Sequence, residues 1–130
     1  MILYLIYINK MTIKELVLKV YPDAVCKSYN NGDGYEENLI ESKIYGTLDV
    51  AYTESGAWQS LLFNISNADL VKGVYPEAKI FYSSDSFGKR EYNVFNGKPT
   101  ISNELGEYCF SEEEVWKSAA EKIKLNIVYN

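Results

Sequence analysis

Histidine is absent from this 130-residue chain, cysteine occurs only twice and proline three times, and basic side chains are outnumbered 13 to 18. Without histidine the commonest general base, the usual Ser-His-Asp triad and most zinc sites are excluded together. Cys26 and Cys109 are too few for a disulfide scaffold and have no C-x-x-C spacing; each stands among apolar or strand-like residues and reads as a buried, reduced thiol. A net charge of −5 argues against simple attraction to phosphate backbones or anionic membranes. The opening apolar run, residues 1–8, falls far short of the roughly 20 residues of a membrane span. It also lacks the basic flank and small-residue cleavage site of a signal peptide, so a cytoplasmic protein is expected, with residues 1–11 forming an N-terminal strand. Met11 is an alternative start.

What the chain does have is apolar surface, at 47% hydrophobic and 15% aromatic residues, which is enough to fold as one or two small domains. It also has an internal echo. Glu15-Leu16-Val17-Leu18-Lys19-Val20-Tyr21-Pro22-Asp23-Ala24 recurs as Asp69-Leu70-Val71-Lys72-Gly73-Val74-Tyr75-Pro76-Glu77-Ala78, with six of ten positions identical. Further on, Thr53-Glu54-Ser55-Gly56-Ala57-Trp58-Gln59-Ser60 matches Ser111-Glu112-Glu113-Glu114-Val115-Trp116-Lys117-Ser118, which pairs the chain's two tryptophans. Two co-linear matches predict a tandem duplication, residues 12–65 and 66–130.

Each half follows one grammar. Thr12-x-x-Glu15 is a capping box and Ser66-x-x-Asp69 its shorter-armed counterpart, followed by apolar stripes at Ile13, Leu16, Val17, Val20 and at Leu70, Val71, Val74. Tyr-Pro then stops the helix, because proline has no N–H and forces the preceding residue out of helical conformation. Strand-like stretches follow, broken by Asn30-Asn31-Gly32-Asp33-Gly34 in the first half and by Asn96-Gly97, a type I′ hairpin signal, in the second. Thr53 and Ser111 cap the closing helices, whose buried stripes are Trp58, Leu61, Leu62, Ile65 and Trp116, Ala119, Ala120, Ile123. The expected fold is therefore α+β: two tandem α-β-β-β-α repeats with antiparallel sheets, related by a pseudo-two-fold axis. The two copies either pack helix face to helix face or join their sheets edge to edge, and a pseudo-dimeric monomer or a true homodimer both satisfy the pattern.

In order and spacing the unit resembles the double-stranded RNA-binding domain, most closely in the second half. Arg90-Glu91-Tyr92-Asn93-Val94-Phe95-Asn96-Gly97-Lys98 looks like that family's second strand and hairpin. Gly106-Glu107, Ser111 and Ala119-Ala120-Glu121-Lys122 look like its third strand and last helix. The resemblance implies a helix–three strands–helix fold and, at its functional positions, a basic cluster at the start of the last helix. This chain instead carries Glu112, Glu113 and Glu114 there, and Glu54 in the first half, and it lacks the family's loop histidine. Nucleic-acid binding is therefore not expected, with duplex RNA only a residual reading. Tyr21-Pro22-Asp23-Ala24, Tyr75-Pro76-Glu77-Ala78, Trp58 and Trp116 are also similar to a pattern of small helix–sheet–helix proteins of bacteriophages.

No catalytic constellation emerges, and no metal or cofactor site is expected. Glu36, Glu37 and Glu41 read as a solvated acidic face rather than an acid–base pair. Asn31-x-Asp33-Gly34 fails as a calcium loop, with Tyr29 and Ile40 at its first and twelfth positions. Gly32 and Gly34 lack the Lys-Ser/Thr ending of a phosphate loop. Lys89-Arg90 reads as a solvated hairpin end. Twelve tyrosines remain. Tyr29, Tyr35, Tyr82, Phe87 and Tyr92 fall at expected strand ends and loops, where rigid amphipathic rings favour binding to another protein. With Glu54, Glu112, Glu113 and Glu114 they are the candidate partner-binding residues of a non-enzymatic inhibitor. The expected partner is a host defence nuclease or CRISPR effector, whose basic site the carboxylates would occupy. An aromatic pocket between the halves, sequestering a small ligand or nucleotide, is the alternative.

Overall fold

The computed structural model describes residues 10–30 and 32–129. The first helix among the described residues, α1 (Ile13–Val20), starts where the capping box places it: the Thr12 hydroxyl accepts from the Glu15 N–H at 3.1 Å, and the Glu15 carboxylate accepts from the Thr12 N–H at 3.3 Å. The helix stops at Tyr21, whose N–H still reaches the Val17 carbonyl at 2.8 Å before Pro22 turns the chain. Three antiparallel strands follow in order, β1 (Val25–Asn30), β2 (Glu36–Ser42) and β3 (Gly46–Ala51), with a register shift at Ile40/Glu41. α2 (Glu54–Asn64), capped by Thr53, lies on β2 and β3.

A single residue separates α2 from the next cap. Ser66 starts α3 (Asn67–Val74) by accepting from the Asp69 N–H at 3.1 Å, and Tyr75 ends it with an N–H bonded to the Val71 carbonyl at 2.7 Å. β4 (Ala78–Ser84) and β5 (Arg90–Asn96) then pair antiparallel in unbroken register from Ala78↔Asn96 to Ser84↔Arg90. A one-turn 3-10 helix, Ile101–Asn103, precedes α4 (Glu112–Leu125), which packs on β5 and α3. The described residues thus form an α+β fold, with four α-helices and two antiparallel sheets of three and two strands.

The sheets do not join; the two halves meet through helices, with α1 packed on α3. Leu16, Val17, Leu70 and Val71 are all buried there, in one cluster with Trp58, Leu61, Leu62, Val115, Ala119 and Ala120. Each buried aliphatic side chain contributes roughly 1.5–3 kcal/mol of transfer free energy, against about 1 kcal/mol for a cap, so the helix interface outweighs the helices' own ends. Buried Ser42 is tied in, whereas Trp58 Nε1 and Asn93 Nδ2 find no hydrogen-bond partner among the described residues. Ser42 donates to both carboxylate oxygens of Asp23 at 2.9 and 3.0 Å and accepts from the N–H groups of Ile44 and Tyr45. That fastens the turn after α1 to the β2–β3 turn.

Three expectations are corrected. The second half has two strands, not three: residues 104–109 follow β5 only through isolated bridges, Phe95↔Glu104 and Tyr92↔Cys109. The reason lies in α4. The Ser118 hydroxyl accepts from the Glu107 N–H at 3.0 Å and donates to the Val115 carbonyl, and Gly106 sits so close that a Cβ there would lie 2.6 Å from the Ser118 oxygen. The segment is drawn onto the helix instead of completing a ladder. Asn96-Gly97 closes no two-residue hairpin either. The Gly97 N–H, at φ +90°, bonds back to the Glu77 and Phe95 carbonyls, and the chain leaves through the 3-10 turn. Both cysteines are half-buried rather than buried. The strand expected over residues 1–11 lies outside the described residues except at its end, where Met11 bridges Ile127 in parallel.

Gly73 sets the α1–α3 approach. A Cβ there would sit 2.8 Å from a methyl of Val20 and 3.1 Å from the Lys19 carbonyl oxygen. Gly73→Ala gains about 1 kcal/mol of helix propensity but costs roughly 1–3 kcal/mol in overpacking against a stiff β-branched side chain and backbone. A net loss of about 1 kcal/mol is expected in urea unfolding, where a gain would show that the helices part freely.

Candidate functional site

The β4–β5 hairpin builds the most aromatic surface in the second half. Its turn is made by Asp85, whose carboxylate oxygen accepts from the N–H groups of Phe87 and Lys89, both at 2.9 Å, while Gly88 takes a φ of +79°. That turn leaves Phe87 93% exposed. Behind it Tyr82 and Tyr92 stand opposite in register, ring centroids 6.2 Å apart, and the Arg90 guanidinium lies 4.7 Å from the centre of the Tyr82 ring. Tyr92 exchanges both backbone bonds with Cys109, at 2.7 and 2.9 Å, which brings Tyr108 and Phe110 alongside. The Lys89 ammonium sits 4.0 Å over the Phe110 ring. Such contacts give about 0.5–1 kcal/mol each at exposed positions, enough to hold the rings outward but not to bury them. Tyr82, Tyr108 and Phe110 remain exposed.

Phe110 leads directly into the Ser111 cap, where the serine oxygen accepts from the Glu114 N–H at 3.2 Å. Glu112, Glu113 and Glu114 are exposed in the first turn of α4, favourably placed against the helix dipole, and form no ion pair among the described residues. Phe110, held by Lys89, links the hairpin to the α4 carboxylates Glu112, Glu113 and Glu114. The Tyr92–Cys109 pairing puts Tyr82 and Tyr92 on the opposite face of the hairpin from Tyr108 and Phe110. No ring contact among the described residues ties Phe87 to either group. Tyr29 and Tyr35 are exposed at the β1–β2 loop, and Glu54 in the first turn of α2. No hydrogen bond, ion pair or ring contact among the described residues links these three to the hairpin. Tyr108 and Phe110 are residues that the sequence reading passed over, and Lys89-Arg90, read there as a solvated hairpin end, stands against the Phe110 and Tyr82 rings. Tyr108-Cys109-Phe110 was the available signal, since alternate aromatics beside a strand share a face.

Other candidate chemistry is accounted for locally. Burial, then the nearby Glu54 carboxylate, pushes the Cys26 thiol upward, which disfavours the reactive thiolate. Glu41 pairs with Lys27 at 3.1 Å on the sheet surface and raises the lysine above its usual range. No cluster of three or more Cys, Asp or Glu among the described residues is arranged to hold a metal. No helix there is long and apolar enough to cross a membrane. Two cavities among the described residues lie each within one half. One, of about 590 Å³, is lined by Tyr75, Asn96, Asn103, Glu104, Leu105 and Lys122 among others. The other, of about 540 Å³, lies beside Asp23, Val25, Lys27 and Glu41. The aromatic pocket expected at the junction corresponds to neither, since Tyr75 is the single aromatic lining residue of the two. No protein-family model, curated protein or solved structure matches the chain.

The hydrogen bonds from Ser42, with the Lys43 N–H at 2.8 Å, hold Asp23 below the ordinary carboxylate value of 3.8. A carboxylate depressed in the folded state stabilises it above that value and loses the contribution as pH falls through the lowered pKa. The wild type is therefore expected to exceed Asp23→Asn in stability at neutral pH, the gap closing below about pH 3.8. Urea midpoints measured from pH 7 to pH 2 check this, and a gap independent of pH would contradict it.

Proposed function

We propose that this protein is a non-enzymatic binding module that docks on another protein through the hairpin surface just described. One observation carries the reading: exposed rings and unpaired carboxylates are contiguous, with Phe110 immediately before the α4 cap and held by Lys89 of the hairpin. Rings of this kind contribute contact area at little entropic cost, and the carboxylates select a basic partner and steer its approach. In its most specific form the partner is a nucleic-acid-handling protein, a host defence nuclease or CRISPR effector, whose phosphate site receives Glu112, Glu113 and Glu114.

We further propose that the chain is a tandem repeat of a unit similar in topology to the double-stranded RNA-binding domain. Support comes from matched details in the two halves. Tyr21 and Tyr75 end their helices with the same backbone angles (φ −123°, ψ 81° and φ −125°, ψ 88°). Leu16 and Leu70, Val17 and Val71, Ala24 and Ala78, and Ile40 and Val94 are all buried. Gly73 packs on Lys19, its own counterpart in the sequence match, as residues beside a two-fold axis do.

Titration against purified host nucleases, followed by calorimetry, tests the binding reading. Binding should weaken at least about tenfold on Glu112→Lys/Glu113→Lys/Glu114→Lys and on Tyr82→Ala/Phe110→Ala, each hot-spot ring carrying about 2 kcal/mol. Binding that ignores the charge reversal would sink the phosphate-site version. A direct shift of duplex RNA at low salt would replace the reading altogether.

A further inference from the structure

The hairpin has an edge that the proposed docking surface does not use. Tyr92 turns its N–H and C=O to Cys109, and Val94 turns its C=O to the Leu105 N–H, so both direct their backbone away from β4. In an antiparallel ladder the residues opposite them do the same on the other side. These are Tyr82 and Ile80, whose peptide groups therefore point outward along the free side of β4, with no backbone partner among the described residues. Unlike the first sheet, this ladder has no register shift in it. Natural proteins blunt such edges with bulges, proline or a central lysine. β4 has none of these, and its only charged residue, Lys79, is near one end.

We propose that two copies of this chain pair antiparallel through β4, about a two-fold axis at Phe81, to give one four-stranded sheet of order β5-β4-β4-β5. In that register Ile80 of each copy stands opposite Tyr82 of the other, in two hydrogen-bonded pairs that use the outward groups. Each is a β-branched residue facing an aromatic one, a favourable cross-strand combination. Phe81 meets Phe81 on the axis. Lys79 faces Ser83 and lies diagonal to Asp85 of the second copy, so no like charges oppose one another within the paired residues. Glu77 and Asp85 fall opposite each other just beyond, with Lys79 between them.

The corresponding edge of the first half is closed to the same pairing. Three residues after Ala24, as Phe81 is after Ala78, stands Lys27, and equivalent pairing of β1 would set Lys27 directly on Lys27. Like charges directly opposite are destabilising. A two-fold pairing consumes the β4 edge of both copies at once, so association through it ends at the dimer and does not run on into a filament. Docking through Phe110 and the α4 carboxylates remains compatible with it, since neither group lies on β4.

Sedimentation equilibrium of the full chain is expected to give twice the 14.9 kDa chain mass. Ile80→Pro removes an outward N–H that takes no part in the β4–β5 ladder, and Phe81→Lys recreates the block at Lys27; each should raise the dimer dissociation constant at least about 100-fold. In the wild type, hydrogen exchange at the Ile80 and Tyr82 amides should slow about tenfold or more between about 5 and 500 µM protein. A chain that is monomeric at about 1 mM overturns the proposal, as does a dimer whose Ile80 and Tyr82 amides exchange equally at both concentrations. A dimer untouched by both substitutions overturns it as well.

Discussion

The contact between α1 and α3 is the constraint on which the rest of the structure depends. Each half alone offers a small sheet with helices on it, and a unit of that size buries too little apolar surface to stand by itself. Leu16 and Val17 from one side and Leu70 and Val71 from the other close a common core, and Gly73 lets the two backbones come near enough for the four side chains to meet. Lys19 occupies the matching place in α1. A side chain at both positions would hold the helices apart, so one member of the pair has given up its Cβ while the other keeps a long one that reaches solvent.

With the helices committed to the interior, both sheets are carried on the outside, and the halves diverge there. The first half completes three strands and ties its turns down through Asp23 and Ser42. The second gives up its third strand to Ser118 on α4, which leaves Tyr108 and Phe110 beside the hairpin rather than in a ladder. That loss of regularity makes the aromatic surface, because the segment leading into the α4 cap is held next to Tyr92 while its side chains stay exposed. The proposed protein-docking role and the proposed edge pairing thus fall on the half that departs further from the shared pattern.

Much of the scaffold was legible in the sequence because its signals are local. Thr12 with Glu15, Ser66 with Asp69, and the two Tyr-Pro stops each act within one helical turn, and the helices begin and end at them. The loss of a third strand in the second half was not legible: Gly106 and Ser118 are twelve residues apart and act only once α4 has docked. Asn96-Gly97 was misread for a similar reason, since the Glu77 carbonyl that captures the Gly97 N–H comes from the far end of β4. Of the candidate site, the exposure of Glu112, Glu113, Glu114, Tyr82 and Phe87 was expected from cap and turn positions. The placement of Phe110 beside Lys89 depends on the Tyr92–Cys109 bridge, a long-range pairing that no periodicity announces.

If the α1–α3 contact makes one cooperative body of the two halves, both must unfold together. The chain has one tryptophan in each closing helix, Trp58 in α2 and Trp116 in α4, both packed with the core. Labelling the full chain with fluorotryptophan and following both fluorine resonances through a urea titration reads the two halves independently in a single sample. The account predicts that both native resonances disappear at one midpoint with one slope. Separate midpoints, with one tryptophan released while the other remains native, would contradict it.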